Sequence, residues 1–351
     1  MEGLRALFDA LRDRVSSVLG RHGRKLWWIH SFYALGLGVS VLLFAQKGFA
    51  AVRWLSATVV VAWLLVVVVF RLFGGRAEAE AITSGKRMRF LVMTYVLKNL
   101  YQGMLFFLLP FYWKSSTPTA INFAFTLLLG ACALVSTLDV LFDELVMRSR
   151  VLASVFHGFT LFASFDLLVP ALFPEITTLH AQVVAALVTV LGFWSLHVST
   201  QAFAKNRTFA LLFASLAAGA GLAWFGRAVI PPVPMHLASG AVGPYVLGDG
   251  RLGMEVKTLR ASELRQLVAV TNIVAPGGDT EGLHHVWRRE GDEVFRATKS
   301  TLRGLGQHGA IRLSSKLEGK ALPKELKGVW SIDVETPDGQ LVGRVGFTVA
   351  D

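Results

Sequence analysis

GLHHVWRREGDEVF, residues 282–295, decides how the C-terminal part of this chain is read. Two adjacent histidines, a tryptophan and a run of charges suggest a metal or catalytic centre. The spacing instead suggests a strand, a turn at REGD and a second strand. Neighbouring side chains of a strand point to opposite faces. Leu283, His285 and Trp287 then share one face, and His284, Val286 and Arg288 the other. Two such histidines do not easily grip one ion, and zinc wants three or four converging ligands. His285 and Trp287 are expected to face a core, and His284 an edge or the surface.

The flanks repeat this pattern. Short alternating segments at 252–260, 266–274, 283–289, 293–299, 309–317, 328–335 and 340–349 are separated by turn signals such as APGGDTEG and TPDG. Strands at this spacing predict a small all-β domain over residues 251–351, a sandwich of immunoglobulin-like type. Residues 304–309, GLGQHG, match the dinucleotide fingerprint G-x-G-x-x-G. That fingerprint needs a helix after it, and the strand-like IRLSSK follows instead, so a loop is expected. The chain has no G-x-S-x-G, H-E-x-x-H or P-loop motif, and no catalytic residue, cofactor or metal is assigned. Its single cysteine, Cys132, leaves no intrachain disulfide, so the β domain must be stable through its core.

Upstream the composition changes. The whole chain is 53% hydrophobic and 17% charged, against about 25% charged in soluble domains. A net charge of +11 would suit nucleic acid, but residues 245–351 hold 15 Lys/Arg against 14 Asp/Glu. The excess lies among apolar runs near the length that crosses hydrocarbon as helix. This is a signature of membrane orientation and excludes a phosphate-binding surface. Seven spans are expected over residues 21–230, at roughly 27–46, 53–73, 90–112, 120–142, 151–172, 180–202 and 208–230. One set of alternate loops carries 15 Lys/Arg and the other carries four, Lys47, Arg53, Lys114 and Arg227. The positive-inside rule then puts the N-terminus in the cytoplasm and the C-terminus outside. In residues 1–20, Leu4, Leu7, Phe8, Leu11, Val15, Val18 and Leu19 recur at helical spacing, which predicts an amphipathic interfacial helix. PPVPMHLASGAVGPYVLGDG, residues 231–250, reads as a linker. Ala214, Ala217, Ala218 and Gly221 form a small-residue stripe suited to close helix packing.

Ionisable residues at membrane depth are costly and each needs a reason. Lys98 shares a helical face with Tyr95 and Gln102, so that face should point into the bundle. Asp139, His157 and Asp166 are further members of a candidate intramembrane polar site, with Asp143, His197 and His30 nearer the inner ends. Pro170 cannot donate to the carbonyl of Asp166 and leaves an acceptor free there. These groups could form a proton or substrate site, or serve as snorkelling side chains and structural pairs.

Within the β region, the H-x-W of His285 and Trp287, then Arg312 before Ser314 and Ser315, then the G-x-W of Gly328 and Trp330, the turn Asp338–Gly339 and the closing Phe347 and Val349 form a further pattern. This resembles the bacterial domain-of-unknown-function family 2914, over about the last 100 residues. The preceding helices resemble, less specifically, the uncharacterised membrane family 5924. The resemblance implies a bacterial inner-membrane protein with a small periplasmic β domain, and brings no catalytic residue. The expected function is a membrane-anchored binding or scaffold protein whose β domain engages an envelope protein, glycan or polymer. Its partners would be the lipid bilayer and that envelope component, not nucleic acid. The alternative is a transporter or membrane enzyme acting on a lipid-linked substrate through Lys98, Asp139, His157 and Asp166.

Overall fold

A computed structural model of the chain describes residues 36, 61, 84–138, 141–146, 149–198, 201–202, 205–247, 252–261, 265–275, 282–297, 303–304, 310–323 and 325–350. The expected interfacial helix and first two spans lie outside the described residues, apart from the helical Gly36 and Val61. Five helices are described: α1 (Ser84–Ser115), α2 (Phe123–Thr137), α3 (Arg150–Leu172), α4 (Thr178–His197) and α5 (Asn206–Gly226). Three of these stretches, Val151–Leu172, Thr178–His197 and Asn206–Gly226, are long and apolar enough to cross a membrane.

Local chemistry sets the helix ends. Ser149 and Thr177 cap α3 and α4 by accepting from the amides of Leu152 and His180. The expected span over 120–142 is not continuous. Helix α2 has 15 residues, Leu138 is extended, and a π-helical turn follows at Phe142–Val146. Ser136 and Thr137 donate to the carbonyls of Ala133 and Leu134, a local side-chain bond that competes with the helix ladder. The small-residue stripe also misses its role, since Ala214, Ala217 and Ala218 are exposed. The α5 residues that meet α4 are Ser215 and Gly219. Trp194 Nε1 donates to Ser215 at 2.8 Å, and a methyl added to Gly219 would sit 2.9 Å from Val190.

Nine strands follow among the described residues: β1 (His236–Gly243), β2 (Thr258–Arg260), β3 (Gln266–Val274), β4 (His284–Arg289), β5 (Asp292–Arg296), β6 (Arg303–Gly304), β7 (Ala310–Glu318), β8 (Gly328–Glu335) and β9 (Leu341–Ala350). They form a four-stranded sheet, β1-β3-β7-β6, and a five-stranded sheet, β2-β9-β8-β4-β5. Pairing is antiparallel except for β2 with β9. Glu290 and Gly291, between β4 and β5, both have positive φ, the left-handed pair that closes a two-residue hairpin. Inward residues of both sheets build two apolar clusters, one with Leu267, Ala269 and Leu317 against Trp287, Trp330, Ile332 and Phe347, the other with Ile273 and Leu313 against Val334 and Val342.

Two expectations need correction here. Residues 252–260 contribute a strand only from Thr258, and Leu252 forms an isolated bridge with Val246. Residues 231–250 are not a free linker. Pro231 to Met235 are buried and the next eight residues are β1. Proline and glycine here stiffen a packed connection: Ile230 and Val233 join the helical core, and Met235 joins the sheet core. Three further bonds seat the domain on the bundle. Thr178 donates to Gln340 at 2.5 Å, Asn122 to the carbonyl of Leu341 at 3.1 Å, and Arg227 to that of Asp338 at 2.8 Å.

Ile332 is fully buried whereas Val329 is 60% exposed, though both lie on β8. Ile332→Ala is expected to cost about 2–5 kcal/mol, and Val329→Ala about 0.5 kcal/mol or less. Thermal unfolding followed by tryptophan fluorescence checks the difference.

Candidate functional site

Two stations of polar groups lie between α1 and α3. Lys98 and Gln102 are buried on α1, as expected of a face turned inward. Between them in sequence, Tyr101 meets His157 of α3, its hydroxyl 2.6 Å from Nδ1. The Nε2 of His157 is buried with no partner among the described residues. At the second station, the hydroxyl of Tyr112 lies 2.8 Å from Oδ2 of Asp166 and 3.0 Å from the carbonyl of Ala163.

His157 and Asp166 lie on one helix, about two and a half turns apart along its axis. Thr160 and Ser164 lie between them but donate back to Phe156 and Thr160 of the same helix. The expected polar residues are therefore not gathered at one point. Asp139 and the side chain of Tyr95 lie outside the described residues. Sequence reading missed Tyr101 and Tyr112, although Tyr101 stands three residues after Lys98 on the same helical face. It also missed Gln182 of α4, fully buried with neither side-chain polar atom partnered among the described residues.

In the β domain the motif residues converge on a different task. His285 and Trp287 are fully buried on β4, and His284 lies on the opposite face. His285 Nδ1 is 2.7 Å from Ser315 Oγ, and its Nε2 is 2.8 Å from Thr271 Oγ1. Trp287 Nε1 donates to the same Ser315 at 3.0 Å. Burial, with the neighbouring His284 a second cause, lowers the pKa of His285 from 6.5 to about 3. The ring is thus neutral, both nitrogens are occupied, and Ser315 already accepts a bond. With both ring nitrogens and the serine oxygen engaged across the two sheets, the group is bonded as a structural element. It holds the two sheets in register. Trp330 is equally buried and donates to the carbonyl of Leu326 at 2.7 Å. Arg312 and Ser314 face away from this core, where Arg312 donates to Asn272 at 3.1 Å. Gly304 ends β6 and the strand β7 follows at Ala310, an arrangement unlike a dinucleotide turn.

The outer face of the five-stranded sheet carries an ionic layer. Asp333 receives Arg288 at 2.9 Å and Arg344 at 2.6 Å, and Glu335 receives Arg288 and Arg296 at 3.0 Å. Arg344 also reaches the carbonyl of Thr119 at 3.4 Å, in the α1–α2 connection. The end of the domain away from the bundle is apolar instead. Tyr245, Val246, Leu247 and Met254 are exposed there, and Val246 bridges Leu252. The eight residues of β1, in extended conformation, separate this tip from the helices.

Residues 8–269 match the model of a Family of unknown function (DUF5924). The chain belongs to this family. Residues 280–349 match a second model, Protein of unknown function (DUF2914). No curated protein matches the chain. The order of the two matches is the one the sequence motifs implied, but the DUF5924 match is not confined to helices. It takes in β1, β2 and the first part of β3, while the DUF2914 match starts before β4. The boundary between the families thus falls inside one two-sheet fold.

Ser315→Ala would leave His285 Nδ1 and Trp287 Nε1 buried without a partner, and is expected to cost about 1–3 kcal/mol. Ser314→Ala, on the outer face, should be near neutral. Denaturation of the two variants side by side tests this assignment. A pH dependence follows from the same residue. Unfolding returns His285 to its ordinary pKa of 6.5, so between about 3 and 6.5 the unfolded chain binds the extra proton. The stability held by the neutral ring is complete above about pH 6.5 and is lost as pH falls toward 3. Melting curves across that window should slope less in His285→Gln than in the parent chain.

Proposed function

We propose that this DUF5924 protein is a membrane-anchored binding or scaffold protein whose β domain presents a docking surface to an envelope protein, glycan or polymer. The observation that carries the reading is the exposed apolar tip of Tyr245, Leu247 and Met254, on a domain packed rigidly onto the helices. Isolated exposed apolar residues are ordinary, but a contiguous patch commonly marks an interaction site. The His285 group and the arginine–carboxylate layer pair their polar atoms with one another.

The finer architecture belongs to the same proposal. The domain is of immunoglobulin-like type, supported by its two facing sheets and the parallel pairing of β2 with β9 at one edge. The membrane domain has seven spans, with the β domain on the periplasmic side of a bacterial inner membrane. Supporting this are the three apolar helices, the loop charges and the seating of the domain on the loop ends poor in Lys/Arg.

Tyr245→Ser combined with Leu247→Ser and Met254→Ser is expected to leave folding intact, abolish retention of the envelope component and reproduce the deletion phenotype. Full complementation of a deletion by this triple variant would overturn the reading. Orientation is read independently, by labelling Lys316→Cys in a Cys132→Ala background with a membrane-impermeant thiol reagent on intact spheroplasts. Labelling is expected without lysis.

A further inference from the structure

The second polar station poses a problem of proton count. The hydroxyl of Tyr112 has one hydrogen to give. Two acceptors lie within hydrogen-bond distance of it, Oδ2 of Asp166 at 2.8 Å and the carbonyl of Ala163 at 3.0 Å. If Asp166 were a carboxylate, one of the two contacts would be an oxygen–oxygen approach without a hydrogen, or the one hydrogen would be divided between them. If Asp166 is a carboxylic acid, each oxygen is satisfied: Asp166 donates to Tyr112, and Tyr112 donates to Ala163.

The surroundings favour the second arrangement. Asp166 is 1% exposed, on a helix apolar enough to span a membrane. A buried carboxylate is tolerated when a cation or several donors compensate it. Among the described residues, no cation forms an ion pair with Asp166. The titratable group facing it from α1 is Tyr112. From α2, Thr126 donates to the carbonyl of Tyr112, and Phe125 stacks on the tyrosine ring. On α4, the contacts of Ser154 with His197 and of Gly158 with Thr189 set an antiparallel register that puts Gln182 level with Asp166. Neither Thr126 nor Gln182 titrates.

We propose that Asp166 holds a proton at neutral pH and donates it to Tyr112, forming a one-proton binding site in the bundle close to the β domain. The ligand is the proton itself, and its release would leave a carboxylate that competes with Ala163 for the single hydrogen of Tyr112. This assignment is independent of the docking surface at the far end of the β domain.

Infrared spectroscopy of the full-length protein in lipid nanodiscs at pH 7 tests it. A protonated carboxyl has a C=O stretch above the amide I band that shifts in D2O. That band is expected in the parent chain and absent in Asp166→Asn, whose side chain keeps a donor for Tyr112 and so preserves the packing. In Tyr112→Phe the band should persist at a shifted frequency, because its acceptor is gone. Two results would overturn the proposal: a parent-minus-Asp166→Asn difference that shows a carboxylate band instead, or a band unmoved by Tyr112→Phe.

Discussion

The chain leaves the helical bundle and enters the β domain without slack, and this constraint governs the rest of the structure. Ile230 and Val233 are buried among the helices, and Met235, two residues on, is buried among the strands. Two cores separated by two residues cannot move independently without exposing one of them. The turn TPDG is drawn into the same junction: the carbonyl of Asp338 receives Arg227, and Gln340 just after the turn receives Thr178. The domain is therefore a fixed extension of the bundle, and its tip is held at a set distance from it.

That arrangement explains how the two family matches meet within one fold. The match that begins at residue 8 ends at residue 269, within β3, and the next begins at residue 280, before β4. Strand β3 pairs with β1 on one side and β7 on the other. The strands of the first match thus form one sheet with strands of the second, and the hydrophobic effect gives neither portion a complete core alone.

The residues most suggestive of chemistry have structural roles. A histidine and a tryptophan converge on Ser315, and arginines and carboxylates pair on the outer face of the five-stranded sheet. Buried polar groups cost stability unless partnered, and here they partner one another across strands that are far apart in sequence. The same rule acts in the bundle, where His157 and Asp166 each take a tyrosine of α1. Polar residue types at membrane depth were legible as a group in the sequence. Their division into two stations was not, because it depends on which turn of α1 faces which turn of α3.

Periodicity alone determined much of the outline. Apolar run length placed α3 within a residue of its observed ends, and short β-rich runs bounded by turn signals placed β3 and β8. The opposite facing of His284 and His285 followed from the pleat. Tertiary structure decided what periodicity cannot carry. The proline-rich segment became a packed splice and an edge strand because both cores close over it. The packing face of α5 shifted from Ala214 to Ser215 and Gly219 because Trp194 and Val190 of α4 lie there. Tyr112 became the partner of Asp166 because α1 packs against α3. Each of these is a contact between distant segments, and such contacts depend on how whole elements assemble, which local pattern does not specify.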